Sequence, residues 1–362
     1  MNVTLNPTSV PELIEAVRSK PHVLAVGART KPRLSQVPNN FTLLSTQDLK
    51  GIVEYEPDEF TFTALAGTLV RDIAAKLAER GQYLPFDPML VAAGATLGGT
   101  VASGLSGPGR FRFGGLRDFI LGVRFVDGAG RLLRMGGKVV KNAAGFDLPK
   151  FFVGSLGRFG VLAEITFKVF PRPASALTLK LAAKTAEAAA QILTQAANSR
   201  WQPDALDILP GGEAVCLRLA GPATALKEMS REILARWPGD VLSSHEAETI
   251  WTELREFRWA HVEGVLWKVS ITPDKVRQWN DAGRSLNGVR THVSAGGNVA
   301  FISVPNPAQA GDLGGQLSKL GLAGMTLRGS APLWCGLKLR PAIADAVKRA
   351  LDSDGRFPSL DD

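Results

Sequence analysis

Between Pro88 and Gly109 the chain carries no charged residue, and this run, which contains "GATLGGTVASGLSGPG", holds six glycines. A run that long without charge would elsewhere suggest a membrane span. Its content of Gly, Ser, Thr and Pro argues against a stable apolar helix. Small side chains suit backbone that must approach something flat or anionic. Arg110 and Arg112 follow directly behind. The stretch therefore reads as a ligand-facing segment.

With 362 residues, the chain exceeds one typical core and divides into subdomains. The opening "VPELIEAVRSK" has apolar residues at helical spacing and leads into a strand, "HVLAVGARTK". "GIVEYEPDEFTFTALAG" alternates as strands do, and Thr68 is placed to cap a helix that ends by Gly81 and Pro85. "DFILGVRFVDGAGRLLRMGG" reads as a hairpin turning at "DGAG". Beyond Pro173 the order of elements, β-α-β-β-α-β, occurs twice around a helix at "ETIWTELREFRW". The expected class is α+β. The expected divisions are 1–173 (lobes of about 1–60 and 61–173), 174–340, and a C-terminal helix and tail over 341–362.

The net charge of +8 sits in the first half, where residues 1–173 hold 21 Lys/Arg against 14 Asp/Glu. From Arg110 to Lys141 eight basic residues face only Asp118 and Asp127, a surface for association or a solvated face. No nucleic-acid module signature accompanies it, so nucleic acid is not an expected partner. The N-terminus lacks the apolar region of a signal peptide, which makes the cytoplasm the default location. Two distant cysteines, Cys216 and Cys335, support neither a disulfide framework nor a metal cluster.

Four segments of the first half expose backbone by omitting side chains: "VGARTK" (26–31), "GATLGG" (94–99), "KNAAGFDL" (141–148) and "GSLGRFGV" (154–161). Such loops can aim N–H donors at phosphate oxygens, with Gly27, Gly98 and Gly99 free to take positive φ. None reads G-x-G-x-x-G, and no Walker A sequence is present, so neither a Rossmann turn nor a P-loop is supported. Four such loops in one half point to an extended, phosphate-bearing ligand.

Together with "RDFILGV" and "GVLAEITFKVFPRP", these loops resemble the FAD-binding domain of the vanillyl-alcohol oxidase/PCMH superfamily, and within it the FAD-binding subunits of bacterial glycolate-type oxidases. The resemblance covers about residues 20–173 and continues more weakly through "LREFRW", "LWKVSI" and "SAGGNVAF". It implies a two-lobed FAD domain followed by an α+β cap of two ferredoxin-like units. The pyrophosphate loop falls on Gly27, Ala28, Arg29 and Thr30, and the second phosphate and flavin segment on Ala95, Thr96, Gly98, Gly99, Ala102 and Ser103. Asn142, Gly145 and Asp147 fall near the flavin or its ribityl chain, and Gly160, Val161 and Ile165 near the adenine end. Arg29 stands where relatives carry a small residue, and Phe146 where they carry Tyr. Non-covalent FAD is expected. "VGARTK" has no attaching nucleophile, His22 lies roughly 16 Å upstream along an extended strand, and both cysteines belong to the later half.

Substrate chemistry is less visible. Oxidising a 2-hydroxy acid needs a cation for its carboxylate and a base for its hydroxyl, and His261, His292 and Lys268 are the candidates. The stretch "HVSAGGNVAF" keeps His292 and Asn298 of a metal-binding cap motif resembling HxGDGNxH but lacks its aspartate and second histidine, so no metal is expected. The resemblance implies a subunit that binds FAD and works on a small 2-hydroxy acid such as glycolate with a catalytic flavin subunit and an iron–sulfur subunit. Peripheral attachment at the inner face of the cell membrane is compatible with it. A free-standing FAD dehydrogenase and a non-catalytic scaffold are the alternatives.

Overall fold

The computed structural model describes residues 3–137, 147–338 and 342–361. The chain forms two units, one of Met1–Ser106, Gly115–Arg172 and Arg340–Asp362, the other of Gly107–Gly114 and Pro173–Leu339. Helices and largely antiparallel sheets make both α+β. Among the described residues, no helix is long and apolar enough to cross a membrane.

In the first unit, β1 (Thr4–Leu5), β2 (Val23–Val26) and β3 (Thr42–Ser45) form a parallel sheet in the order β1-β3-β2. The helix α1 (Val10–Ser19) starts where Ser9 Oγ accepts the Glu12 N–H, with Pro11 in its first turn. Its Leu13 and Val17 meet Val23, Leu44, Val126, Val161 and Phe357 in one core. Next come β4 (Ile52–Glu56), β5 (Thr61–Leu65), α2 (Val70–Ala78), β6 (Gln82–Tyr83) and α3 (Leu97–Ser103). They are followed by β7 (Ile120–Val126), β8 (Leu132–Gly136), β9 (Val161–Lys168) and β10 (Phe170–Pro171). Strands β4-β5-β9-β7-β8 pair in that order, and β6 pairs with β10. Phe62, Ala64, Ile165 and Phe167 are buried on one face of this sheet.

The uncharged run departs from its expectation by forming α3. Thr96 Oγ1 accepts the Gly99 N–H at 3.2 Å, Leu97 and Val101 are buried, and Gly104 closes the helix at a φ of 61°. Thr68 does not cap α2. Its hydroxyl donates to the carbonyls of Leu65 and Gly51, accepts from the Gly51 N–H, and so ties a turn, while Leu69 holds the cap position without a side-chain bond.

The second unit holds one nine-stranded sheet. Its strands and helices, after α4 (Arg110–Phe113), are β11 (Ala176–Ala182), α5 (Ala186–Ala197), β12 (Ala205–Ile208), β13 (Ala214–Ala220), α6 (Ala223–Arg236) and β14 (Gly239–Val241). Then come α7 (Ser244–Arg255), β15 (Val265–Ser270), α8 (Pro273–Gly283), β16 (Arg290–Ser294), β17 (Val299–Val304), α9 (Ala310–Lys319), β18 (Ala323–Arg328) and β19 (Trp334–Gly336). The order β14-β11-β13-β12 is one ferredoxin-like unit, β16-β17-β15-β18 is the other, and Ile208 opposite Val293 joins them edge to edge. Helices α5, α6, α8 and α9 share a core with Leu179, Leu217, Trp267 and Ile302, whereas Trp251 and Leu254 of α7 pack with Ala205 and Cys216.

Two segments join a different unit from the one sequence order suggests. Residues 107–114 belong with the second, where the Phe111 ring occupies the space a side chain on Gly296 would need: a Cβ there would lie 2.3 Å from the ring. The C-terminal α10 (Ala342–Leu351) and its tail return to the first unit, where Phe357 is buried and the Val23 N–H donates to the Arg356 carbonyl at 2.8 Å.

Candidate FAD site

Strand β2 delivers the chain at Val26 into a loop that bounds two adjoining cavities. The first, about 50 Å³, is lined by Gly27 through Lys31, Leu34, Ser35, Thr96, Gly99, Ala102, Ser103 and Leu156. The second, about 40 Å³, shares Gly27, Gly99 and Ala102 with it and adds Thr46, Gly98, Ser155, Gly157, Gly160 and Leu162. Gln47 Nε2 donates to the Gly27 carbonyl at 3.1 Å and fixes the loop's entry. The opposite wall hangs on α3: the Leu156 N–H donates to the Ala102 carbonyl and the Gly154 N–H to the Val101 carbonyl. Leu156 stands at a φ of 52° and Gly157 at 74°, so this wall is a succession of left-handed residues.

Glycine serves the site by close approach, not by handedness. None of Gly27, Gly98 and Gly99 takes a positive φ, contrary to expectation. A Cβ on Gly27 would lie 2.3 Å from Thr96 Oγ1, and one on Gly98 would lie 2.9 Å from the Ala66 Cβ. The missing side chains let the first loop, α3 and the strand end at Leu65 close on one another. The left-handed residue of the first loop is Arg29, at a φ of 52°.

Of the expected cofactor residues, Gly27, Ala28, Arg29, Thr30, Thr96, Gly98, Gly99, Ala102, Ser103 and Gly160 line one or both cavities. Ala95 is buried behind them, its carbonyl accepting the Val70 N–H. Val161 and Ile165 face the interior, because the alternation of β9 gives the cavity to Leu162 instead. Asp147 is exposed, ion-paired with Lys150 at 2.6 Å, and outside both linings. Asn142 and Gly145 lie outside the described residues.

Two residues that sequence reasoning passed over mark what the cavities can hold. Lys31 is 8% exposed; its Nζ donates to Thr30 Oγ1 at 3.0 Å, and burial pushes the ammonium down to about 8. Ser155 Oγ is buried against the second cavity and has no hydrogen-bond partner among the described residues. Among the described residues neither lining contains a carboxylate. A buried cation and an unsatisfied hydroxyl between close backbone walls fit an anionic ligand rich in acceptors, and the pyrophosphate of FAD is such a group. Both residues stand inside the quoted loops; only their burial was invisible.

Of the catalytic candidates, all in the second unit, the two histidines are engaged elsewhere. His292 is fully buried, with Nε2 2.7 Å from Asp207 Oδ2 and its ring stacked on Phe301 and edge-on to Trp259. Asp207 also accepts from Ser294 Oγ at 2.8 Å and the Ala295 N–H at 3.0 Å, so the carboxylate holds a strand end in place. His261 Nε2 lies 2.8 Å from the Gly288 carbonyl and its own carbonyl accepts from Arg328, which makes it a loop fastener. Lys268 is partly buried on β15, and burial, with Arg110 nearby, pushes it down to about 8. Among the described residues no group of three or more His, Cys, Asp and Glu is placed to hold a metal ion.

Residues 1–136 match the FAD binding domain family. The glycolate oxidase subunit GlcE of Escherichia coli is 37% identical over 265 residues, covering 72% of this chain and 71% of that protein. The chain belongs to the GlcE family. It is a flavoprotein with FAD as cofactor, and an oxidoreductase subunit. More partial similarity joins this GlcE-family chain to the glycolate oxidase subunit GlcD of Bacillus subtilis, 29% identical over 46% of this chain and 35% of that one. A D-lactate dehydrogenase of Anaerostipes hadrus is 27% identical over 57% of this chain and 44% of its own length. The fold is also that of an alkyldihydroxyacetonephosphate synthase, with a TM-score of 0.74 at 15% identity over 97% of this chain and 76% of the synthase.

Proposed function

We propose that the chain is the FAD-binding subunit of a glycolate-type 2-hydroxy-acid oxidase, acting beside a catalytic flavin subunit and an iron–sulfur subunit. Bound FAD supplies the two-electron acceptor for oxidation of a 2-hydroxy acid to its 2-keto acid. The observation that carries this reading is the pair of cavities between Gly27–Lys31, Gly98–Ser103 and Ser155–Gly160, together with similarity to GlcE over most of the chain. The first loop and Lys31 would hold the pyrophosphate, and Ser155 would donate to an oxygen of the same ligand.

The assignment of substrate chemistry to the assembly is supported by the state of the chain's own histidines. His292 is sealed behind Trp259 and Phe301, and His261 is committed to Gly288, so neither is positioned as a free base. Lys268 beside Arg110 favours the second reading, an autonomous dehydrogenase, because two neighbouring cations suit a substrate carboxylate. Residence in the cytoplasm, free or attached at the membrane face, belongs to the first reading.

Purification of the full chain with its native partners, followed by acid precipitation, tests it. FAD should appear in the supernatant at close to one per chain, with subunits of the assembly in the same fraction. Flavin that stays with the denatured chain, or a chain that purifies colourless under gentle conditions, contradicts the proposal. Both cysteine thiols are in the second unit and burial pushes each up to about 12, which leaves little thiolate for a covalent flavin link.

A further inference from the structure

Lys31 presents a problem that the fold alone does not resolve. An ammonium has three donors, and at Lys31 the hydrogen bond found goes to a neutral hydroxyl, Thr30 Oγ1. A lysine is seldom buried unless paired. Among the described residues, the charged side chains of the first cavity's lining and of the loops beside it are cations. Arg29 shares the cavity lining, and Arg33 follows on the turn Pro32–Ser35. Arg158, on the opposite loop, donates to the carbonyls of Leu156 and Ser359. Strand β2 and helix α3, the remaining walls, carry no ionisable residue. Burial is the cause that lowers Lys31, with no carboxylate acting against it.

We propose that Lys31 is the neutralising contact of the FAD pyrophosphate and that flavin binding by this chain is therefore linked to protonation of Lys31. This rests on the cavities being the FAD site. The pyrophosphate supplies the negative charge that the lining lacks, so the bound form holds the Lys31 proton more tightly than the free form does. The sign follows. Below the free lysine's value of about 8 the ammonium is already present and affinity is full. As pH rises past it, each unit costs about tenfold in affinity until the bound form also loses its proton.

The test is titration of the full-length apo-protein with FAD, and separately with riboflavin, from pH 7 to 9.5, for wild type, Lys31→Met and Lys31→Arg. Wild type should weaken for FAD above pH 8. Lys31→Met should bind FAD about 10- to 100-fold more weakly at pH 7, the scale of one charge-assisted contact, with a flat pH profile and unchanged riboflavin affinity. Lys31→Arg should restore affinity at pH 7 without the alkaline loss. The apo Met variant should also melt higher than wild type at pH 7, because it no longer buries an unpaired charge. Wild-type FAD affinity in Lys31→Met, or equal losses for FAD and riboflavin, overturns the proposal. A wild-type chain that binds riboflavin and FAD alike, or neither, overturns the reading of the cavities beneath it.

Discussion

At the scale of single residues the site depends on atoms that are missing. Gly98 donates its N–H to the Ala66 carbonyl at 2.7 Å, and an added Cβ would press on backbone and side chain of the same alanine. Gly98→Ala should therefore destabilise the first unit by about 1–3 kcal/mol through overpacking, and flavin should leave at a lower temperature in a fluorescence-detected melt. Unchanged flavin release would show that α3 can shift without cost. The requirement for small residues was legible in "GATLGG", but its reason was not. Sequence reasoning assigned the space to ligand and to positive φ, whereas Gly27 and Gly98 give theirs to Thr96 and Ala66. Which small residues face a cavity depends on partners far away in sequence. The same limit hid Lys31, whose 8% exposure belongs to the folded loop and leaves no mark in the letters around it.

Among elements, the C-terminal arm bears most on the cofactor loops. Lys348 Nζ donates to the carbonyls of Arg158 and Phe357 and to Asp352, whose carboxylate also accepts the N–H groups of Arg356 and Phe357. The Arg356 guanidinium covers carbonyls at the end of α1, at Val17, Arg18 and Lys20. Arg158 is thus held through its side chain by Ser359 and through its carbonyl by Lys348, two residues beyond the strained Leu156. Phe357→Ala removes a fully packed ring from the α1 core and should cost about 3–5 kcal/mol. In thermal unfolding the variant should lose flavin before the second unit melts; loss of both together would show that the arm does not act on the loop. The helix of this arm was readable from "PAIADAVKRAL", and so was the double β-α-β-β-α-β order that builds the nine-stranded sheet. Where the arm docks was not readable, because one phenylalanine in "SDGRFPS" has no periodicity to reveal its partner.

At the scale of the whole molecule, part of the basic excess that is continuous in sequence is neutralised by local ion pairs. Arg124 pairs with Glu164, Arg131 pairs with Asp127, and Arg110 and Arg112 belong to the second unit. What unites the chain is a division of labour: cavities in the first unit suited to FAD, and a second unit whose His261 and His292 hold structure in place. The most direct measurement is anaerobic addition of glycolate to the flavin-loaded chain, first alone and then with the catalytic subunit of the proposed assembly, following the visible flavin absorbance. The account predicts no bleaching by glycolate in the isolated chain and bleaching once the partner is present; rapid reduction of the isolated chain's flavin by glycolate would contradict it.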